Sequence, residues 1–178
     1  MKNESLGKFF NPKTIAVIGA SDRPHSVGGA IFSGIKNSAF AGKVFPVNNK
    51  NTTVQGQKAF PSVGDIGEKV DLAVIATPAP AVLPILDDCV RAGVDGAAIV
   101  SSGFKESGKQ GKKDFAAIQK LAQTSGMRIL GPNCLGFANS RAKLNASFAP
   151  QSPLPGSIAF VSQSGALCGT LLDWSLRD

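Results

Sequence analysis

Apolar residues in this chain come in short unbroken runs rather than in alternation. "TIAVIG" (14–19), "KVFPV" (43–47), "DLAVIA" (71–76), "GAAIVS" (96–101) and "MRILG" (127–131) all have this character. Such runs predict strands covered on both faces. Between them the spacing predicts helices over about 27–37, 80–92 and 112–125. In "APAVLPILDDCVRAG" the residues Val82, Leu83, Leu86, Cys89 and Val90 recur at helical spacing, and Gly93 is a natural stop. The order β-α-β-β-α-β-α-β predicts an α/β fold with a Rossmann-like, doubly wound parallel sheet. Residues 52–69 are the least regular and read as a loop with one helical turn.

The pattern breaks at "FAPQSPLPGS" (148–157), where three prolines and no periodicity mark a linker. "SIAFVSQSGALCGTLLDWSLRD" then reads as strand, turn and helix, with Ala166, Leu167, Thr170, Leu171 and Trp174 on one helical face. A lone strand-helix pair leaves both strand edges and much apolar surface uncovered. The expected organisation is one domain over residues 1–150. Residues 151–178 would be a linker and the first strand-helix unit of a second α/β domain that the chain does not complete. The alternative is that this unit docks on the first sheet. Its apolar face predicts docking or self-association, a homo-oligomer included.

Composition narrows the class. With 178 residues, 43% hydrophobic and 17% charged, the chain has enough material to bury roughly 70% of its unfolded surface without disulfides or metals. No apolar run reaches the roughly 18–20 residues of a membrane span and "MKNESLGKFF" is no signal peptide, so a cytoplasmic, non-membrane protein is expected. Cys89, Cys134 and Cys168 are widely separated, which argues against a disulfide framework or a zinc site and for reduced core residues. The net charge is +7, but the lysines are scattered apart from "KESGKQGKK" (105–113), and there is no Tyr to interleave with them. A small polyanionic ligand fits that charge better than nucleic acid.

The chemistry-bearing stretch is "TIAVIGASDRPHSVGGAIFSGI" (14–35). A strand ends at Gly19, and a helix opens near Gly28 and Gly29 after a long polar turn. Early helical N–H groups lack partners and favour anions, the two glycines permit close approach, and Ser21 and Ser26 add hydroxyls. The alternative is that the glycines only let strand and helix pack tightly. A dinucleotide fold for NAD places an acidic residue about 20 positions on. Here strand two ends in Asn48, Asn49 and Lys50, with no carboxylate. A cation there suits a phosphate on the ribose, as in NADP or coenzyme A, although Lys50 could equally be an ordinary surface lysine. Other strand ends offer Thr77 and Pro78, then Ser101, Ser102 and Gly103, then the proline-asparagine turn of "LGPNCLG" (130–136). Pro80 suits the opening of the next helix. His25, the one histidine, reads as a loop residue rather than a catalyst. An NADP-linked oxidoreductase finds no proton donor or hydride-site residue here.

The ordered set "IAVIGAS…VGGAI", "KVFPVN", "VDLAVIATPA", "AAIVSSGF", "MRILGPNCLGFAN", "LNASF" and "IAFVSQSGALCGTLLDW" resembles the nucleoside-diphosphate-forming acyl-CoA synthetases. That family is similar in architecture to the alpha subunit of succinyl-CoA synthetase and includes two-part protein lysine acetyltransferases. The resemblance runs from about residue 6 to 178. It implies a coenzyme A site in which Gly19, Ala20, Ser21, Ser26, Val27 and Gly28 form the phosphate loop and Lys50 lies near the ADP part. Thr77, Pro78, Ser101, Ser102 and Gly103 would line the adenine and pantetheine path. Asn133, Ser162, Gln163, Ser164 and Gly165 would contact a phosphohistidine loop, the last four at a helix start suited to a dianion.

The family's phosphorylated histidine is expected beyond residue 178, so no catalytic residue is expected in this chain, and no metal site. ATP or ADP with Mg would bind only in missing C-terminal domains or a beta-type nucleotide-grasp subunit. The chain alone would bind CoA or acyl-CoA without ligating it. Its parent would interconvert acyl-CoA, a nucleoside diphosphate and phosphate with acid, CoA and triphosphate. The alternative is the CoA-binding part of a lysine acetyltransferase, or a standalone CoA-responsive regulator.

Overall fold

The computed structural model describes residues 2–177, so the outermost residue of each expected domain lies outside them. The core strands are β1 (Thr14–Ile18), β2 (Lys43–Val47), β5 (Leu72–Ile75), β6 (Gly96–Ile99) and β7 (Arg128–Leu130). They form one all-parallel sheet in the order β2-β1-β5-β6-β7. The five predicted strands and their parallel arrangement are therefore present; β2 spans its whole predicted run, and the other four are a little shorter than theirs. Counted among themselves, these strands run 2-1-3-4-5, and the order reverses direction between β1 and β5. In open α/β sheets a ligand crevice opens at such a switch point, beyond the strands' carboxyl ends.

Both faces of the sheet are covered, which is why its strands read as unbroken apolar runs. On one face Ala16, Ile18, Ala73, Ile75, Ala97 and Ile99 pack with Val82, Leu86 and Cys89 of α3 (Ala79–Arg91) and Ile118 of α4 (Gly108–Ser125). On the other, Ile15, Val17, Leu72, Val74 and Ala98 meet Ile31, Phe32 and Ile35 of α2 (Val27–Lys36). Helix α3 ends as its sequence suggests: Gly93 adopts φ 71, and the Val94 N–H turns back to the Cys89 carbonyl at 2.9 Å. Helix α4 starts four residues earlier than its periodicity indicates, because a short 3₁₀ turn at Lys105–Ser107 feeds directly into it. Among the described residues, no helix is long and apolar enough to cross a membrane.

Three elements go beyond the sequence expectation. Helix α1 (Lys2–Phe10) carries little apolar periodicity, yet it docks through Phe9, which is 3% exposed. Phe9 fills the space that a side chain at Gly96 would need: a Cβ there would lie 2.5 Å from its ring. Phe9, Phe10 and Phe137 then form an aromatic cluster with centroids 5.0–5.5 Å apart. A two-residue ribbon pairs β3 (Thr53–Val54) with β4 (Gln57–Lys58), and a 3₁₀ turn follows at Val63–Ile66. The helical turn expected in 52–69 is thus there, but so is a hairpin.

The third element is the antiparallel pair β8 (Gly136–Asn139) and β9 (Leu144–Ser147), lying against α2. Two of its buried residues are polar, which hides the strand in the apolar pattern. Ser147 Oγ donates to Asn145 Oδ1 at 2.5 Å, and Asn145 Nδ2 donates to the carbonyls of Ala149 and Gln151 at 3.2 and 3.0 Å. Each buried polar group is therefore satisfied, and the same amide fixes where the chain leaves the sheet.

One expectation is corrected. Helix α5 (Gly165–Ser175) forms, but the strand expected just before it does not. Ile158 and Val161 are 92% and 94% exposed, and the segment pairs with no strand of the sheet. A strand needs a neighbour to satisfy its backbone groups, and the five-stranded sheet does not supply one. Leu167 and Trp174 on α5 are also largely exposed, at 47% and 62%.

Candidate functional site

The turn joining β1 to α2 is built by close backbone contacts. Gly19 stands at φ 92, and its N–H donates to the Val47 carbonyl at 3.0 Å, tying the turn to the end of β2. A Cβ on Gly19 would lie 2.8 Å from the Ala76 carbonyl oxygen and 3.1 Å from Thr77 Cγ2. The turn after β1 therefore rests directly on the residues that follow β5, at the switch point. A Cβ on Gly28 would sit 2.1 Å from the Gly19 oxygen, and one on Gly29 would sit 2.5 Å from the Ser21 oxygen. The space beside both glycines is filled by the turn's own backbone. Tight strand-helix packing, one of the two readings of these glycines, is thus a structural fact; it does not occupy the Gly28 N–H, whereas the Gly29 N–H is taken by Ser26 Oγ.

The helix start has the donors an anion needs. Ser26 is the N-cap, its Oγ accepting the Gly29 N–H at 3.2 Å, and the Ala30 N–H closes the first helical bond to the Ser26 carbonyl at 2.9 Å. Among the described residues no acceptor meets the N–H groups of Val27 and Gly28, the first two helical positions. Ser21 is 8% exposed, and its Oγ accepts the Arg23 N–H at 3.0 Å. Both serine oxygens act as acceptors inside the turn, and each keeps a hydroxyl proton to give. Ala20 is buried, while His25 sits exposed in the turn at φ 59.

Asn48 connects the end of β2 to this turn. Its Nδ2 donates to the Ala20 carbonyl at 2.8 Å, and its Oδ1 accepts the N–H groups of Lys50 and Asn51 at 2.8 and 3.0 Å. This side-chain turn fixes the Lys50 backbone relative to Ala20 and leaves the Lys50 ammonium exposed. The absence of a carboxylate after strand two is legible in the sequence; the structural job of the asparagine found there is not.

The other strand ends gather at the same edge. Thr77 is half-buried, and its Oγ1 is shielded from solvent with no hydrogen-bond partner among the described residues. Pro78 is the N-cap position of α3, with Pro80 in its first turn. A Cβ on Gly103, at φ 107, would come 2.9 Å from Ala79 Cβ, so the loop after β6 packs on the start of α3. The Gly103 N–H donates to Glu106 Oε1 at 2.6 Å, and that bond holds the Glu106 carboxyl below its usual range. Ser101 is half-buried, its Oγ 3.4 Å from the Ile75 carbonyl, while Ser102 is exposed.

Asn133, at φ 56, donates its N–H to the Ser101 carbonyl at 2.9 Å. It opens onto a cavity of about 420 Å³ shared with Val100, Cys134, Leu135, Phe148, Gln163, Gly165 and Ala166. Gln163 and Gly165 therefore line the same cavity as Asn133. Ser162 and Ser164 serve the local turn instead: Ser162 Oγ accepts the Ser164 N–H at 3.0 Å and Ser164 Oγ caps the Leu167 N–H at 3.2 Å. A larger groove of about 510 Å³, lined in part by Ser62, Lys69, Asp88 and Arg91, lies at the sheet's other end. Its Asp88–Arg91 and Lys43–Glu68 charges are paired, and it is remote from the switch point.

Two residues at the turn escaped the sequence reading. The ribbon tip is Gln55–Gly56, both at positive φ (48 and 73) as in a two-residue hairpin turn. The Gln55 N–H donates to Asp22 Oδ1 at 2.7 Å and its Nε2 to the Gly29 carbonyl at 3.0 Å. Only the short glycine turn in "TVQGQK" signals the ribbon, and nothing local signals its partners.

A parallel sheet whose switch point carries a glycine-built turn, a helix start with free N–H groups and an exposed lysine after strand two defines a Rossmann-like domain for a phosphate-bearing ligand. The chain belongs to the CoA-binding domain family, which matches it over residues 13–140. It is 44% identical over 178 residues to the alpha subunit of ADP-forming acetate–CoA ligase I of Pyrococcus furiosus, covering 98% of this chain and 38% of that one. It is 42% identical over 167 residues to the ADP-forming 4-hydroxybutyrate–CoA ligase of Nitrosopumilus maritimus, covering 93% and 24%. The acetyl-coenzyme A synthetase 1 of Candidatus Korarchaeum cryptofilum, solved with phosphate and ADP, superimposes with a TM-score of 0.91 at 42% identity, over 97% of this chain and 37% of that one. The chain spans between about a quarter and two fifths of the length of these relatives.

Proposed function

We propose that this chain is the CoA-binding portion of an ADP-forming acyl-CoA synthetase. The observation that carries the reading is the switch-point turn. The Val27 and Gly28 N–H groups stand free there, beside two serine hydroxyls, and Asn48 links the same turn to Lys50. Phosphate oxygens of CoA would accept from those N–H groups, favoured by the positive end of α2. Lys50 would meet a phosphate of the ADP part, and the pantetheine arm would run past Thr77–Pro78 and Ser101–Gly103 toward Asn133. The Thr77 hydroxyl, which has no partner among the described residues, is a candidate donor along that path once a ligand reshapes the crevice.

On this reading residues 1–150 are the CoA domain, and residues 151–178 lead into a second α/β domain. The unpaired, exposed 158–161 segment supports that division, since it has the composition of a strand without its neighbours. Gln163 and Gly165, facing the Asn133 cavity, would help hold a phosphorylated side chain brought by that domain. Nucleotide and Mg would be handled outside residues 1–178, in further domains or a nucleotide-grasp subunit. The ligase relatives make an acetyltransferase or regulatory parent the less favoured reading.

Calorimetric titration of the chain with CoA, dephospho-CoA, NADP and NAD tests the proposal. CoA should bind most tightly, with dephospho-CoA weaker and NAD weakest. Preference for NAD over CoA would sink it.

A further inference from the structure

The ribbon β3–β4 is too short to stand by itself, yet its tip is bonded on three sides. The Gln55 N–H reaches Asp22 in the middle of the turn, the Gln55 side-chain amide reaches the Gly29 carbonyl in the first turn of α2, and the Gln55 carbonyl accepts from Lys36 Nζ at 2.5 Å in the last turn. Asp22 is otherwise hard to explain. A carboxylate in a turn that receives phosphate repels its ligand. Its Oδ1 is committed to the Gln55 backbone instead, so the negative charge is directed at the ribbon.

Gln55 also holds φ 48, a backbone conformation uncommon for residues other than glycine, asparagine and aspartate. Strain of that kind persists only where surrounding bonds over-determine it. Here the bonds run to both ends of the 22–29 turn and to the far end of α2.

We infer that Asp22 and Gln55 are positioning residues that clamp the 19–29 turn in its ligand-ready shape, so that CoA binds without first ordering it. The inference rests on the CoA reading above and adds a device to it. A flexible turn that must be fixed on binding loses affinity by the cost of ordering it. Neither residue has to touch the ligand.

The test compares Asp22→Ala, Asp22→Asn and Gln55→Asn in the full chain. Asparagine at 22 keeps an acceptor oxygen and drops the charge. Asparagine at 55 tolerates the positive φ but is too short to reach the Gly29 carbonyl. Two readouts are taken: CoA affinity by calorimetry, and amide hydrogen exchange with the free chain. Asp22→Ala and Gln55→Asn should weaken CoA binding by about three- to tenfold, while Asp22→Asn should bind at least as well as wild type. In the two weakened variants exchange should quicken at Arg23, Ser26 and Gly29, and amides of β1 and β5 should keep wild-type protection. Unchanged affinity in Asp22→Ala and Gln55→Asn, or loosening that extends through β1 and β5, would overturn the clamp. Failure of the wild-type chain to bind CoA would overturn the functional reading instead, and the exchange comparison would still decide whether the clamp exists.

Discussion

Gly28→Ala isolates the steric logic of the turn between β1 and α2. The new Cβ would lie 2.1 Å from the Gly19 oxygen, 2.7 Å from the Gly19 carbon and 3.2 Å from the Ala20 nitrogen, all of them backbone atoms. Real Cβ contacts essentially never fall under 3.0 Å, so turn and helix must part by about 0.9 Å. No flexible side chain can absorb that movement. Overpacking of this order costs about 1–3 kcal/mol. Alanine returns up to about 1 kcal/mol of helix propensity, which complicates the reading of one variant alone. Gly34→Ala supplies the control. It lies in the same helix, its nearest neighbour for a new Cβ is the Asn145 oxygen at 4.0 Å, and it should be neutral or stabilising by up to about 1 kcal/mol. The two variants should therefore differ by about 1–3 kcal/mol in urea unfolding at matched slope, on the order of 1 M in midpoint. Gly28→Ala should also weaken CoA binding, and Gly34→Ala should leave it intact. Equal midpoints for the two variants would refute the argument that the turn's backbone fills the space beside Gly28.

Lys50→Ala should weaken CoA binding by about 1–3 kcal/mol, the range for a charge-assisted contact, with a smaller effect on dephospho-CoA; calorimetry at fixed salt checks both. Cys89, fully buried on α3 beside Asp88, has its thiol pushed up to about 12, chiefly by burial and then by that carboxylate. The folded chain thus holds this proton more tightly than the unfolded chain, whose value is near 9.0. Stability is fully present below pH 9 and falls as pH rises toward 12, by at most about 1.4 kcal/mol per pH unit. Urea midpoints across pH 8–10.5 should show the decline in wild type and a shallower one in Cys89→Ala. Val161→Asp should leave the free energy of urea unfolding within about 0.5 kcal/mol of wild type, because the side chain is 94% exposed; a larger loss would mean that the 158–161 segment is covered in solution.

The parallel sheet was legible because each core strand is covered on both faces and so reads as an apolar run. The glycine-built turn between β1 and α2 was legible because Gly19, Gly28 and the two serines sit between a strand and a helix. Other parts were hidden for definite reasons. Helix α1 is held by Phe9 against Gly96, a long-range contact without local periodicity. Strand β9 buries Asn145 and Ser147, which satisfy each other and so break the apolar pattern. Gln55 and Asp22 lie 33 positions apart, and neither residue type announces the other. The strand expected at 158–161 was the opposite case: its local propensity is sound, but propensity yields no strand where no neighbouring strand accepts its hydrogen bonds.

The central claim is that the switch-point turn, and not the larger groove at the sheet's other end, receives CoA. Titrating CoA into the isotope-labelled chain and following amide resonances tests it directly. The largest shifts should fall at Ala20–Gly29, Asn48–Lys50, Thr77 and Ser101–Gly103. Shifts confined to the groove bounded by Ser62, Lys69 and Arg91, with the turn unmoved, would contradict the account.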